Sequence, residues 1–304
     1  MVAVPTRGDA ASATRISENI VGRLDGIPVI VVRNRCVPAE TDTDWANLAQ
    51  RPNVQIIDRF GGGAARARNA AISTATSRTV VFVDDDVRVS ESALRTLVAR
   101  QRSASAAIAT ARVVAANTAH HQLFDADLGF DRGSDDGTWM VGQSKPLSPL
   151  NVWQFGVGAT FAIDLSLLGS KGNAIRFDER LSNGRFCGGS EDIDFFYAAY
   201  LNGHIVSYVA EAVVEHIFPI SAAEVSAKCR QYALSDGAFY TKWAQHVSAA
   251  DIRGEIAGWL RRLGGSIANR SRGRPAVPIL DLLAEPLYKL MGGATWELLL
   301  RQSC

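Results

Sequence analysis

The sequence has no excess of either charge, no clustered cysteines, no long apolar run and no internal repeat, and each absence removes a class of protein. Thirty-two Lys and Arg stand against 31 Asp and Glu for a net charge of +1, so no global field draws in nucleic acid, and none is expected as a partner. The four cysteines, Cys36, Cys187, Cys229 and Cys304, are far apart and form no C-x-x-C pair. That spacing excludes a zinc knuckle or a thioredoxin-like motif and fits reduced thiols. The first residues, Met1-Val2-Ala3-Val4-Pro5-Thr6-Arg7, lack the apolar core and cleavage site of a secretory signal, so a cytoplasmic location is expected. No stretch approaches the roughly 18 uncharged apolar residues of a spanning helix. Even the apolar tail from Ile279 is interrupted by Asp281, Glu285, Lys289 and Glu297. What is present is a chain of 304 residues, 47% hydrophobic and 21% charged, large enough for one sizeable core.

Short β-branched runs alternate with helix-compatible segments through the first half. Strands are expected at 2–4, 28–32, 54–57, 79–83 and 106–115, and helices at 10–24, 43–50, 64–76 and 91–102, the last capped by Ser90. This alternation is the pattern of a parallel sheet, and the unbroken apolarity of 79–83 suits a strand covered on both faces. Between 117 and 150 the periodicity fails and Gly, Ser, Asp and Pro accumulate, the mark of a surface excursion that carries function. Regular structure is expected again at 153–163, with a short helix at 165–168 and an amphipathic helix at 193–201 ending at Asn202-Gly203. Two short strands follow at 206–209 and 212–214. From 221 onward the pattern is helical, with Pro275 and Pro278 separating two final amphipathic segments.

Three groups of residues carry chemistry. Asp84-Asp85-Asp86 closes the strand at 79–83, and period-2 geometry would set Asp84 and Asp86 on one side with Asp85 on the other. Converging carboxylates are costly unless a cation neutralises them, and hard oxygen ligands suit Mg²⁺ or Mn²⁺; the alternative is a solvated acidic turn. In Gly188-Gly189-Ser190-Glu191-Asp192-Ile193-Asp194 a glycine turn delivers carboxylates to a helix start that Ser190 can cap. There one Asp can face a cavity as general base while its neighbour is held by hydrogen bonds, or the acidic residues simply favour the helix dipole. His216, at the end of an apolar strand, is either structural or the third ligand that a site begun by Asp84 and Asp86 requires.

Taken in order, these pieces resemble family 2 of the inverting nucleotide-sugar glycosyltransferases. The markers are Val4-Pro5-Thr6-Arg7, Gly61-Gly62-Gly63 running through Arg68-Asn69-Ala70, Phe82-Val83-Asp84-Asp85-Asp86, Gly156-Val157-Gly158-Ala159 with Phe161-Ala162, Phe177-Asp178-Glu179, Gly189-Ser190-Glu191-Asp192-Ile193-Asp194, and Glu215-His216. The resemblance implies an α/β GT-A fold: a Rossmann-like, mostly parallel sheet flanked by helices, with a helical C-terminal extension. Residues 1–116 would form the nucleotide-sugar half, 117–220 the acceptor-binding and catalytic half of the same domain, and 221–304 the extension.

It further implies that Pro5, Thr6 and Arg7 border the nucleotide and that Arg68 approaches the base or diphosphate. Asp85 would face donor ribose or sugar, while Asp84, Asp86 and His216 would hold Mn²⁺ or Mg²⁺. Asp192 would be the base that deprotonates an acceptor hydroxyl, with Glu191 orienting the acceptor or the loop. The partners implied are a nucleoside-diphosphate sugar and a hydroxylated acceptor of lipid-linked, polysaccharide or secondary-metabolite type.

Two positions depart from the family. Val32-Arg33-Asn34-Arg35 stands where an acidic residue often reads the base; Arg33 or Arg35 can add a phosphate contact, and Asn34 can bond a pyrimidine edge. Thr160 replaces a frequent amide. The alternatives are a nucleotidyltransferase, which would want a Gly-rich basic loop after the first strand where this chain has Pro5-Thr6-Arg7-Gly8-Asp9, and a non-catalytic nucleotide-sugar-binding regulator, against which Asp86, Asp192 and His216 all being present argues. Acceptor choice is expected within 119–150, where His120, His121 and Trp139 can line a pocket. Residues 251–274 carry Arg253, Arg261, Arg262, Arg270, Arg272 and Arg274 against only Asp251 and Glu255. With the apolar stretch after 279, this segment is expected either to lie peripherally on an anionic membrane or to form a solvated basic face on the catalytic domain.

Overall fold

The structure is a computed structural model, and it describes residues 1–35, 43–116, 131–142, 147–169, 175–182, 188–217, 222–272 and 279–302. Most first-half elements fall where the alternation places them; the short strand Val87–Arg88 was not expected. The elements are β1 (Val2–Thr6), α1 (Ala10–Asn19), β2 (Val29–Arg35), α2 (Thr43–Ala49), β3 (Val54–Phe60), α3 (Gly63–Thr74), β4 (Thr79–Val83), β5 (Val87–Arg88), α4 (Glu91–Ser103) and β6 (Ile108–Ala115). After the excursion come β7 (Gly137–Trp139), β8 (Thr160–Asp164), α5 (Leu165–Leu168), α6 (Glu191–Leu201) and β9 (Val206–His216). Three long helices end the chain: α7 (Ala222–Lys242), α8 (Ala249–Ser271) and α9 (Ile279–Gln302).

One sheet runs in the order β3-β2-β1-β4-β8-β6-β9-β5, with β7 also on β9. β1 to β4 are mutually parallel, β8 runs antiparallel between β4 and β6, and β6 pairs β9 parallel. Period-2 alternation divides the core in two. Val2, Val4, Val29, Val31, Val81 and Val83 join Ile16, Trp45, Leu94 and Leu97 in one apolar layer. Ala3, Ile30, Val32, Val80 and Phe82 join Ala67, Ile72, Phe161, Phe177 and Phe195 in the other. Each fully buried side chain of this kind contributes about 1.5–3 kcal/mol, which is why both faces of the central strands read as continuously apolar. Pro5 lacks an N–H, and it lies beyond Val2 and Ala3, the only residues of β1 that β4 pairs.

Several expectations need correction. The helix expected at 10–24 ends at Asn19 and continues as a 3₁₀ turn, Val21–Arg23. The regular structure expected at 153–163 is a 3₁₀ helix, Pro149–Phe155, a turn at Gly156 with φ +85°, and only then β8. The two strands expected at 206–214 are one. The register against β6 slips so that Ala111 faces Val209 and Arg112 faces Val213, and this bulge absorbs Glu211, which breaks the apolar pattern. Ser190 does not cap α6: it sits at φ +66° without a side-chain capping bond. Ser90 does cap α4, accepting from the Ala93 N–H. Residues 117–130 and 143–146, with His120 and His121, lie outside the described residues, as do Cys36, Cys187, Arg274 and Pro275.

Candidate active site

At the carboxyl end of β4 the strand has already ended when the acidic triplet begins. Asp84 N–H donates to the Ala159 carbonyl and Val87 N–H to the Asp84 carbonyl, so Asp84 to Val87 form a turn and period 2 no longer applies. The three carboxylates therefore take three directions. Asp85 accepts from Thr6 Oγ1 at 2.5 Å and Ser12 Oγ at 2.9 Å, with Arg15 at 3.6 Å. Asp84 Oδ1 accepts from Arg68 Nη2 at 2.9 Å. Asp86 Oδ1 lies 3.4 Å from His216 Nε2. This last pair is brought together by β5, whose Val87 and Arg88 pair antiparallel with His216 and Glu215, a register locked by the 2.8 Å Arg88–Glu215 ion pair.

Arg68, expected to approach the base or diphosphate, lies buried between two carboxylates. It is 3% exposed, with Nη1 on Glu191 Oε1 at 2.8 Å and Nη2 on Asp84 and, at 3.4 Å, on the Gly158 carbonyl. Its guanidinium lies over the Phe161 and Phe177 rings at 5.7 and 5.6 Å. α3 thus supplies a buried cation that ties the end of β4 to the start of α6. Glu191 is consumed by this pair and is itself 5% exposed.

Asp192, one residue on, points elsewhere. Its Oδ2 accepts from the Gly158 N–H at 2.7 Å. A Cβ at 158 would sit 2.2 Å from that oxygen, so only glycine admits the carboxylate here. Asp194 completes the turn, bonded to Lys242 Nζ and Trp243 Nε1, both at 2.8 Å. Lys242 also reaches Asp178 at 2.8 Å, so α7 is fastened to α6 and to the loop that carries Asp178.

Charge and burial together define the chemistry. Burial, with Asp86 and Asp85 adding repulsion against the pull of Arg68, pushes Asp84 up to about 8; burial and Asp85 push Asp86 up to about 6. Burial, with Lys228 adding to it, drives His216 down to about 3, so its imidazole is neutral, the form that ligates metals. Burial likewise raises Glu191 against the pull of Arg68. Crowded carboxylates beside a neutral imidazole suit a hard divalent cation, and Asp86 with His216 fit one. Asp84 has one oxygen committed to Arg68. Among the described residues no three His, Cys, Asp or Glu side chains are gathered as a ligand set, so the expected triple of Asp84, Asp86 and His216 is present as a pair with a neighbour.

On the other side of β1, the Gly8 N–H donates to Thr6 Oγ1, and Pro5 pairs in register with Val32. Arg33 is not free for a phosphate: it makes a bidentate pair with Asp58, both bonds 2.7 Å, and stacks over Trp45 at 4.8 Å. Among the described residues the buried Asn34 Oδ1 has no hydrogen-bond partner, so its acceptor is unspent there. Thr160 is inside the sheet, bonded to the adjacent Ala159 carbonyl. Trp139 is partly buried and packs edge-on to Phe155. The sequence reading missed Ser12 and Arg15, which converge on Asp85, and missed α7, whose Lys228 acts electrostatically on Asp86 and His216 and whose Tyr232 feels Asp192, Asp86 and Asp84. The Lys228–Tyr232 spacing of four was the one available signal.

A mixed, mostly parallel sheet in this strand order, flanked by helices and followed by a helical C-terminal part, is the GT-A fold. Residues 2–142 match the family model described as Glycosyl transferase family 2. Over that segment, a little under half of its length, the chain is similar to this family. Among solved structures the chain is similar to S. aureus TarS 1-349, at 17% identity over 100% of this chain and 91% of that one, with a TM-score of 0.50. It is also similar to the mannosyltransferase PcManGT from Pyrobaculum calidifontis in complex with GDP-Man and Mn²⁺, at 15% identity over 96% and 83%, with a TM-score of 0.56. These likenesses show the fold. No curated protein sequence matches the chain.

Proposed function

We propose that the protein moves a sugar from a nucleoside-diphosphate sugar to an acceptor hydroxyl with inversion at the anomeric carbon, in a reaction that depends on Mn²⁺ or Mg²⁺. The observation that carries this reading is the division of labour at the start of α6: Glu191 is buried on Arg68, while Asp192 is held through one oxygen by the Gly158 N–H. A carboxylate anchored at Oδ2 keeps Oδ1 as a proton acceptor at a defined position.

Asp86 and His216, with the uncommitted oxygen of Asp84, would hold the cation. When bound it supplies Lewis acidity that offsets the charge of the departing nucleoside diphosphate. Asp85, fixed by Thr6 and Ser12, faces the donor. Asn34 offers its unspent acceptor to the base, with Pro5, Thr6 and Arg7 along the nucleotide. The acceptor oxygen attacks the anomeric carbon as the bond from that carbon to the diphosphate oxygen breaks, and the hydroxyl proton passes to Asp192. One displacement inverts the centre. Arg68 holds the donor-side carboxylate and the base helix in one frame, a positioning role.

Two variants test this. Asp192→Asn should lower transfer by at least about a thousandfold, within the range of a lost general base, with donor affinity measured by calorimetry unchanged. Loss of donor binding in that variant would contradict the role. Titration of nucleoside diphosphates and nucleotide sugars with and without Mn²⁺ should give metal-dependent binding of one nucleotide that Asp86→Ala abolishes. Metal-independent binding, equal in both proteins, would sink the metal reading.

A further inference from the structure

The Arg-rich segment that the transfer site does not use is α8, and its surface is divided into two rows. The inner row, Glu255, Trp259, Arg262 and Ser266, faces α9. Trp259 Nε1 donates to the Leu282 carbonyl at 2.7 Å, Arg262 pairs with Glu285 at 2.7 Å, and Lys289 pairs with Glu255 at 2.5 Å, while Ser266 is 2% exposed. The outer row, Ile252, Ile256, Leu260 and Ile267, follows helical spacing, and each of its side chains is more than half exposed. A capping box of Ser248 and Asp251 starts the helix, so the outer row is presented by a formed element. Arg253, Arg261, Arg270 and Arg272 are also exposed, and among the described residues none has a carboxylate partner.

We propose that α8 docks the protein on an anionic lipid bilayer, with the outer row entering the headgroup boundary and the four unpaired arginines meeting lipid phosphates. An exposed apolar stripe needs a cover, and the charge around it selects which one. A second copy would bring its own unpaired arginines against these, a like-charge approach that opposes pairing; an anionic surface satisfies both the stripe and the cations. α9 exposes leucines as well, but among the described residues no unpaired cation accompanies them, and the proposal rests on α8. No helix among the described residues is long and apolar enough to cross a membrane, so the contact is peripheral. It is separate from the transfer site, and its test stands apart from the transfer assays.

The test is flotation of the full chain with vesicles of mixed phosphatidylglycerol and phosphatidylcholine, with light scattering for mass and thermal melting to show that each variant is folded. The wild type should float with the anionic vesicles and fall at least about tenfold in bound fraction with pure phosphatidylcholine or in about 0.5 M NaCl. Ile256→Asp/Leu260→Asp and, separately, Arg253→Gln/Arg261→Gln/Arg270→Gln should each lose most of that binding while melting like wild type. Absence of wild-type flotation, or flotation that neither variant changes, would overturn the proposal. So would a doubling of mass without lipid that the same substitutions abolish, which would give the face to a second copy.

Discussion

The sheet region and the C-terminal helices treat apolar residues in opposite ways. From β1 to β9 nearly every apolar strand residue is buried between two helical layers, whereas α8 and α9 hold ten of the fourteen exposed large apolar side chains among the described residues. A parallel sheet needs both faces covered, so its apolar pattern is consumed by folding. A terminal helix needs only one face covered, and its remaining stripe is left for something outside the chain. α7 joins the two regimes, gripping α6 through Lys242 and Trp243 and lying against α9 so closely that a Cβ on Gly237 or Gly292 would come within 1.8 Å of a facing carbonyl oxygen.

Breaking the sheet region at its centre should have the largest effect. Arg68→Met leaves buried Glu191 and half-buried Asp84 without their cation and should cost about 3–5 kcal/mol in denaturant unfolding. A loss below about 1 kcal/mol would mean that the guanidinium does not tie β4 to α6. Next is the seam between the regions: Gly292→Ala forces α7 and α9 apart and should cost about 1–3 kcal/mol, read as a lower Tm, whereas an unchanged melt would refute the close approach.

A smaller effect belongs to Asp178. Although burial raises it, the Arg180 hydrogen bonds and Lys242 hold its carboxyl well below the ordinary value. Its folded pKa is depressed, so it adds stability above pH 4 that is lost as pH falls through its folded pKa. Asp178→Asn should therefore lower stability at neutral pH by about 1 kcal/mol and flatten the acid limb of the stability profile. An acid limb as steep as wild type would argue against the pairing. The smallest effect sharpens the contrast: Ile256→Asp on the outer row should change unfolding free energy by no more than about 0.5 kcal/mol, because the fold does not use that face.

Much of the candidate site was legible in the sequence because its residues sit next to glycines or at strand ends, where local patterns carry meaning. Asp192 beside a glycine turn, Asp84 to Asp86 after an apolar strand and His216 at the end of another could all be picked out from spacing. Arg68 could not be placed, because its burial depends on Glu191 and the rings of Phe161 and Phe177, which lie about a hundred residues away in the chain. Nor could the pairing of Arg33 with Asp58, its neighbour across the β2–β3 pair, be read from the sequence. Ser12 and Arg15 carry no motif at all and acquire their role only by facing Asp85.

The sequence by itself determined the alternation of strands and helices, the two-sided burial of the sheet and the positions of the acidic motifs, because these follow from side-chain periods of 2 and 3.6 residues. Only the tertiary structure decided which carboxylate each cation takes, that Glu191 is spent and Asp192 is not, that β9 is one strand with a bulge, and which row of α8 stays exposed. Those outcomes depend on distances between segments far apart in the chain, and hydrogen bonds and ion pairs form only where folding brings partners within about 3 Å.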